Sequence, residues 1–414
     1  MTDPHSPALQ ALLSGEDALW LRPGGPARFE DVPALVSAAE IRAAAERFDR
    51  FAPILARLFA DRDWDGKVRS DLLAFPEATG RPARLLKGDH ALPMTGSIKA
   101  RGGVHELLAH IERFARDAGI ALDDPAATAA ARPAFARLRI LVASTGNLGY
   151  SIGLVARAFG VSVDVHMSRD ARAWKKDALR ALGATVVEHD SDYSAAVARA
   201  REAAAAEGAI FIDDENSRLL LTGYAVAAAE LAQQLADRSI PVTAERPIVV
   251  YLPCGVGGAP GGITLGLKRI FGEAAICLFV EPVESACMLA AMASGERPAP
   301  DVYHYGRTNR TIADGLAVPR ASDLVLDAVG PCIDGVLTVS DAAMTEGVRR
   351  VWRELGQRIE PSAAAGPAAF APFLHAAAGR PGWEAVDAAT HIFWATGGSR
   401  LPDAEFLPLI DAAG

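Results

Sequence analysis

Cysteine is scarce in this chain, and basic charge is not in excess. The four cysteines, Cys254, Cys277, Cys287 and Cys332, lie far apart with no C-x-x-C pairing, so neither a disulfide framework nor a zinc site is indicated and a reducing cytoplasm fits. A formal net charge of -9, with no stretch that interleaves Lys or Arg with aromatics, leaves no footprint for nucleic acid. No segment reaches the roughly 18 apolar residues of a spanning helix. Met1 to Leu13 carries no basic leader, so neither membrane attachment nor targeting is expected. Histidines are scattered, without the H-E-x-x-H spacing of a metal site. Aromatics are few and Ala runs frequent, which favours a helix-rich globule that works on a small molecule. Neither oligomeric state nor the identity of a bound ion follows from composition; a monomer or a small homo-oligomer is the expectation.

What is present is an alternation of short β-branched runs with amphipathic helical patterns from about Leu85 onward, the mark of an α/β fold with mainly parallel strands. Expected strands are Leu138–Ala143, Ser162–Met167, Ala184–His189, Ile210–Asp213, Ile248–Pro253, Ile276–Val280 and His391–Ala395. After Lys99, the residues Val104, Leu107, Leu108, Ile111 and Phe114 fall at helical spacing, with Gly119 as the stop. The first 80 residues read as helices that cover the core, and Asp123 to Pro133 as a surface loop.

Three motifs carry chemistry. In Met94-Thr95-Gly96-Ser97-Ile98-Lys99 a lysine stands where a helix begins, with Thr95 or Ser97 as its cap, although a solvated surface lysine is the ordinary reading of such a residue. Ser144-Thr145-Gly146-Asn147 follows a strand and opens a helix, so successive amides and hydroxyls there suit a carboxylate; a simple capped turn is the plain alternative. Cys254-Gly255-Val256-Gly257-Gly258-Ala259-Pro260-Gly261-Gly262 follows the strand Ile248–Pro253, and its bare backbone suits a phosphate. The last motif lacks the Lys-Ser or Lys-Thr of a P-loop. A dinucleotide site would want an acid about 20 residues further on, where Glu281 stands. Lysine, carboxylate receptor and phosphate cradle together suit pyridoxal 5′-phosphate (PLP), whereas a nicotinamide enzyme has no use for Lys99 in that setting.

Longer runs make the resemblance specific. Thr95-Gly96-Ser97-Ile98-Lys99-Ala100-Arg101-Gly102, Ser144 to Asn147, Ala171-Arg172-Ala173-Trp174-Lys175-Lys176 and Phe211 to Ser217 resemble the bacterial D-serine dehydratase family, as do Ala313 to Val318 and Ala395-Thr396-Gly397-Gly398. The resemblance implies a tryptophan-synthase-β-like α/β fold, PLP fold type II, with the cofactor between a large domain (1–105 and 206–414) and a small one (106–205). It implies conversion of D-serine to pyruvate and ammonia. Another β-eliminating or β-replacing enzyme, acting on D-threonine, L-serine or another small amino acid, and a fold that has lost turnover are the alternatives.

Residue by residue, the resemblance makes Lys99 the Schiff-base lysine, Asn147 the neighbour of the pyridine 3-oxygen, and Thr396 the hydroxyl at the pyridine nitrogen. It makes Gly255, Val256, Gly257, Gly258, Gly261 and Gly262 the phosphate loop. Ser97, Ser144, Thr145 and Gly146 become candidate substrate contacts. Asp213 is either a substrate contact or a strand-end cap, and Glu281 either a ligand of a structural monovalent cation or an ordinary strand-end acid. Two positions depart from the family: Ala259 replaces a glycine, which is harmless only if its φ is negative, and Thr95 replaces a serine.

Overall fold

The computed structural model describes residues 6–76, 83–169, 171–190 and 193–411, with the side chains of 193–195 left aside. Its strands form two sheets. The larger, seven-stranded, runs in the order Leu19–Leu21, Gly335–Val339, Ala275–Pro282, Ile248–Pro253, Thr390–Trp394, Arg84–Lys87, Leu72–Ala74. Only the pairings of the two outermost strands are antiparallel. The smaller, four-stranded, runs Thr185–His189, Ser162–Ser168, Arg139–Ala143, Ile210–Ile212, all parallel. Ile248–Pro253 and Ala275–Pro282 are buried along their whole length, as parallel strands covered by helices on both faces must be.

The strand order places the ligand site before any side chain is considered. In the larger sheet the chain builds from Ile248–Pro253 outward through Ala275–Pro282 to Gly335–Val339, then returns to the opposite side with Thr390–Trp394. In the smaller, Ser162–Ser168 and Thr185–His189 lie on one side of Arg139–Ala143, and Ile210–Ile212 lies on the other. Each sheet therefore has a switch point where the loops leaving neighbouring strands diverge and open a crevice. The hydroxyl motif and the Asp213-Asp214 turn leave one switch point, the glycine loop and Thr396 the other.

The seven expected strands are all found, with ends shifted by at most two residues. Leu19–Leu21, Leu72–Ala74, Arg84–Lys87 and Gly335–Val339 were not expected: three are edge or near-edge strands of three or four residues, too short to show a period. The first 76 residues thus contribute strands as well as the covering helices Pro7–Ser14 and Ala38–Leu58. Asp123 to Pro133 is not a loop. It holds the helices Pro125–Ala130 and Arg132–Phe135, the first capped by Asp124, whose carboxylate accepts from the amides of Ala126 and Ala127. Ile210–Ile212 pairs with Arg139–Ala143, so the segment that builds the smaller sheet runs past 205, the end expected for it. The lysine helix spans Lys99–Asp117 with Val104, Leu107, Leu108 and Ile111 buried, and Gly119 leaves it at φ 69°.

Candidate active site

A cleft opens where residues from the two switch points come together. Lys99, Ser144, Thr145, Asn147, Gly255, Val256, Gly257, Gly258 and Thr396 line it, which brings together residues from all three motifs and from the end of the strand Thr390–Trp394.

Lys99 is the first residue of its helix, and its placement is fixed from both sides. The amide of Ile98 donates to the carbonyl of Thr396 at 2.8 Å, and Ser97 bridges to Gly397. One turn on, Arg101 donates to both oxygens of the buried Asp89, at 2.7 and 2.8 Å, and Trp394 Nε1 donates to the same carboxylate at 2.8 Å. One acid therefore ties the lysine helix to the strand that carries Thr396. No side chain caps this helix: Thr95 Oγ1 donates to the Ser97 carbonyl, and the buried Ser97 hydroxyl lies 3.4 Å from that of Ser151, away from the cleft lining. The Lys99 ammonium is 2.7 Å from Asp214 Oδ2 and 5.8 Å from the centre of the Tyr224 ring. Asp214 Oδ1 is buried without a hydrogen-bond partner among the described residues.

Asp213 is not in the cleft lining. Its Oδ1 accepts the amides of Glu215 and Asn216, each at 2.7 Å, and its Oδ2 lies 3.2 Å from Arg201. The strand ends at Ile212, one residue earlier than expected, so Asp213 folds back over its own turn and Asp214 faces Lys99.

The hydroxyl motif is also rearranged. Ser144 N donates to the His166 carbonyl, and Ser144 Oγ accepts from Gly146 N at 2.9 Å and Gly149 N at 3.1 Å. Two of the amides expected to receive a carboxylate are thus already engaged. The amides with no partner among the described residues, and so open to an anion, are those of Thr145 and of Asn147 and Leu148, in the first turn of the helix Asn147–Phe159, and all three residues line the cleft. Gly146, at φ 139°, does not line it; its missing side chain makes room for the Lys175 stem, whose ammonium reaches Asp314 at 2.8 Å. Two of the longer motifs, around Lys175 and Asp314, therefore meet beside the cleft.

In the glycine loop, Gly257 has φ 105°, and a Cβ there would come 2.6 Å from Met288 Cε. The amides of Gly255, Val256 and Gly257 form no backbone hydrogen bond among the described residues, and those of Gly258 and Ala259 lie in the first turn of the helix Gly258–Phe271. Five amides at a positive helix end, with glycines that let an anion approach, fit a phosphate. Gly261 and Gly262 do not line the cleft. They let the helix pack, Gly261 against Val325 and Gly262 against the Leu221 carbonyl. Ala259 lies within the helix, so its methyl group is unstrained. With an amine, a row of amides suited to a phosphate, and the polar side chains of Asn147 and Thr396 in one cleft, the residues present fit PLP.

Glu281 lies outside the lining. Its two oxygens accept the amides of Met288 at 2.8 Å and Leu289 at 2.9 Å, capping the helix Cys287–Ser294, and burial pushes its carboxyl up to about 8 against the pull of those amides. No cluster of three His, Cys, Asp or Glu side chains suited to a metal occurs among the described residues. Burial also pushes the thiols of Cys254 and Cys287 well up, which suits packing and not nucleophilic attack.

Sequence reasoning missed Asp214, Glu360, Gly315, Leu316 and Ser362, all of which line the cleft. The run Asp213-Asp214-Glu215 signalled an acid at the strand end but not which one. Glu360 sits in no motif.

The family described as "Pyridoxal-phosphate dependent enzyme" matches residues 69–386. A "Probable D-serine dehydratase" of Chromobacterium violaceum is 46% identical over 421 residues, covering 96% of this chain and 94% of its own. One of Rhizobium etli is 42% identical over 431 residues, covering 99% and 96%. Among solved structures, a diaminopropionate ammonia lyase from Escherichia coli superposes with a TM-score of 0.74 at 16% identity, covering 95% of this chain and 97% of that one, a likeness of fold.

Proposed function

The chain belongs to the family of pyridoxal-phosphate dependent enzymes, and from that premise we propose that it converts D-serine to pyruvate and ammonia, the water lost with the β-hydroxyl being returned when hydrolysis releases the ammonia. The observation that carries this reading is the Lys99 amine, held by Asp214 in a cleft that is also lined by the glycine loop, whose amides have no backbone partner among the described residues. Relatives at 42% and 46% identity across nearly the whole chain carry the D-serine dehydratase name, which selects this substrate among small hydroxy amino acids.

When bound, PLP supplies a carbonyl that takes the substrate amine and a ring that withdraws electrons from its Cα. The chain's own residues do the rest. The amides of Gly255 to Ala259 would hold its phosphate and the Lys99 amine its carbonyl group, with Asn147 and Thr396 available to the ring from the same cleft lining. Thr145, Asn147 and Leu148 offer amides to the substrate carboxylate. The Lys99 amine, kept within reach by Asp214, would act as the base that takes the proton from the substrate Cα. Each Glu281 oxygen accepts one amide and keeps a lone pair that a monovalent cation could use.

No helix among the described residues is long and apolar enough to cross a membrane; that the enzyme works in the cytoplasm is our reading, supported by four free, buried cysteines.

The test is keto-acid release from D-serine, L-serine, D-threonine and L-threonine by the purified protein with added PLP. Pyruvate from D-serine at a kcat/KM above that for L-serine is expected. Faster turnover of L-serine, or none of any substrate, overturns the reading.

A further inference from the structure

Glu360 is buried, yet it reaches the cleft beside Asn147, Gly315, Ser362 and Thr396. Its Oε1 accepts from Nδ2 of Asn147 at 2.9 Å, and its own amide donates to the Gly397 carbonyl at 3.0 Å. A side chain at Gly397 would overlap that Oε1, so the Gly397-Gly398 pair leaves room for the carboxylate as well as for a ligand. The contact joins the two halves of the site. Asn147 opens a helix of the smaller sheet's segment, whereas Glu360 belongs to the chain around the larger sheet.

An ionised carboxylate accepts hydrogen bonds and donates none. The end of the Asn147 carboxamide that meets it must therefore be the amino end, and one orientation of the amide is selected. A neutral partner, able both to donate and to accept, would pair with either end and let the group facing the cleft alternate between donor and acceptor. Burial, the largest influence, and Asp314 leave the Glu360 carboxyl above its ordinary value even though the Lys175 ammonium, the Asn147 bond and Arg400 pull it down, so the selection of one orientation acts above the pH at which this carboxyl ionises.

We propose that Glu360 is a positioning residue that fixes the Asn147 carboxamide in a single orientation and so sets how the ring of the cofactor is held. The inference rests on the reading of the cleft as a PLP site, but not on which amino acid is the substrate. Its reach is electronic as well as geometric. A group beside the ring that presents one fixed dipole gives a single environment, and a group that flips gives two.

The experiment uses Glu360→Gln, Asn147→Ala and the double variant, with cofactor affinity and the absorption band of bound PLP as readouts and melting of the cofactor-free protein as the measure of folding. Glu360→Gln should melt like the parent, shift or broaden the band, and weaken PLP binding about tenfold. Added to Asn147→Ala it should change nothing further, because the two act through one contact. Glu360→Asp, which keeps the charge but withdraws it by one methylene, should move the band as well, and it serves if Glu360→Gln does not fold. A parental band and affinity in whichever variant folds, or effects of the two single changes that multiply, overturns the proposal. A parent that shows no PLP band at all overturns the cofactor reading and this inference with it, whereas a parent that binds PLP but ignores D-serine leaves the test in force.

Discussion

Lys99 and Asp214 form an ion pair of 2.7 Å inside the cleft, while the neighbouring Asp213 turns away and spends its carboxylate on two backbone amides. Adjacent acids thus serve separate ends, and substitutions separate them. Asp214→Asn removes the charge that holds the amine and should lower kcat by about tenfold or more. Asp213→Asn keeps an oxygen that accepts both amides, so activity should stay within about twofold of the parent, with a stability loss on the order of 1 kcal/mol. Steady-state kinetics with D-serine on both variants decides the matter. The opposite ranking would return Asp213 to the substrate site.

Lys99→Ala removes the amine but none of the amides of the glycine loop. Turnover should vanish while PLP still binds through its phosphate, which equilibrium dialysis measures directly. Activity within about tenfold of the parent, a loss of only about 1.4 kcal/mol in the barrier, would exclude Lys99 from the chemistry.

Gly257→Ala tests the loop from the opposite side. At φ 105° an L side chain is strained, and the added methyl group would meet Met288 Cε at 2.6 Å. We expect PLP affinity to fall by at least about tenfold, with a smaller change in the melting of the cofactor-free protein. Gly261→Ala, which meets Val325 and not the cleft, should reverse that order.

These contrasts mark what the sequence could convey. A strand followed by glycines or hydroxyls and a helix start is a local pattern that pointed to Gly255 to Gly258 and to Asn147; Lys99 stood out at a helix start, and Thr396 was named only through the resemblance to the family. Which glycine faces the ligand and which faces a helix was not, because Gly261 and Gly262 differ from their neighbours only in what packs against them from distant segments. The same holds for Ser144, whose hydroxyl closes its own turn, and for Glu360, whose partner lies 213 positions away. The short strands Leu19–Leu21 and Leu72–Ala74 escaped for a related reason: they exist through pairing with distant strands.

Glu281 supplies a pH signature independent of turnover. Burial raises its carboxyl from the ordinary 4.5 to about 8, so the folded chain binds this proton more tightly than the unfolded chain does. The sign follows: its contribution to stability is fully present below the unfolded value and is lost as pH rises toward the folded one. Glu281→Gln has no such slope. The difference in Tm, parent minus variant, should therefore be largest near about pH 5 and decline steadily toward about pH 8.5. A difference that is flat, or that grows with pH, would show that the carboxylate is ionised throughout, stabilised by the two amides or by a cation.

Thr396 tests the electronic side of the site. Its carbonyl accepts the amide of Ile98, so it is fixed relative to Lys99, and its side chain lines the cleft. A neutral hydroxyl can hydrogen-bond a pyridine nitrogen without holding it protonated, which leaves the ring a weaker electron sink than a carboxylate would. That suits elimination, in which the β-hydroxyl departs readily and a long-lived carbanion would invite transamination. Thr396→Val keeps the β-branched shape and removes the hydrogen bond. PLP affinity should fall about threefold to tenfold, the equivalent of about 0.5–1.5 kcal/mol. Thr396→Asp should act in a different sense: the adjacent negative charge raises the ring nitrogen pKa and strengthens the sink. Pyruvate release from D-serine should slow, the absorption of the enzyme with substrate should move to longer wavelength, and more of the cofactor should be lost to transamination per turnover. If the aspartate variant kept the parental rate, spectrum and cofactor lifetime, the Thr396 side chain would be doing no more than closing the end of its strand, and the ring nitrogen would have to be sought elsewhere in the cleft.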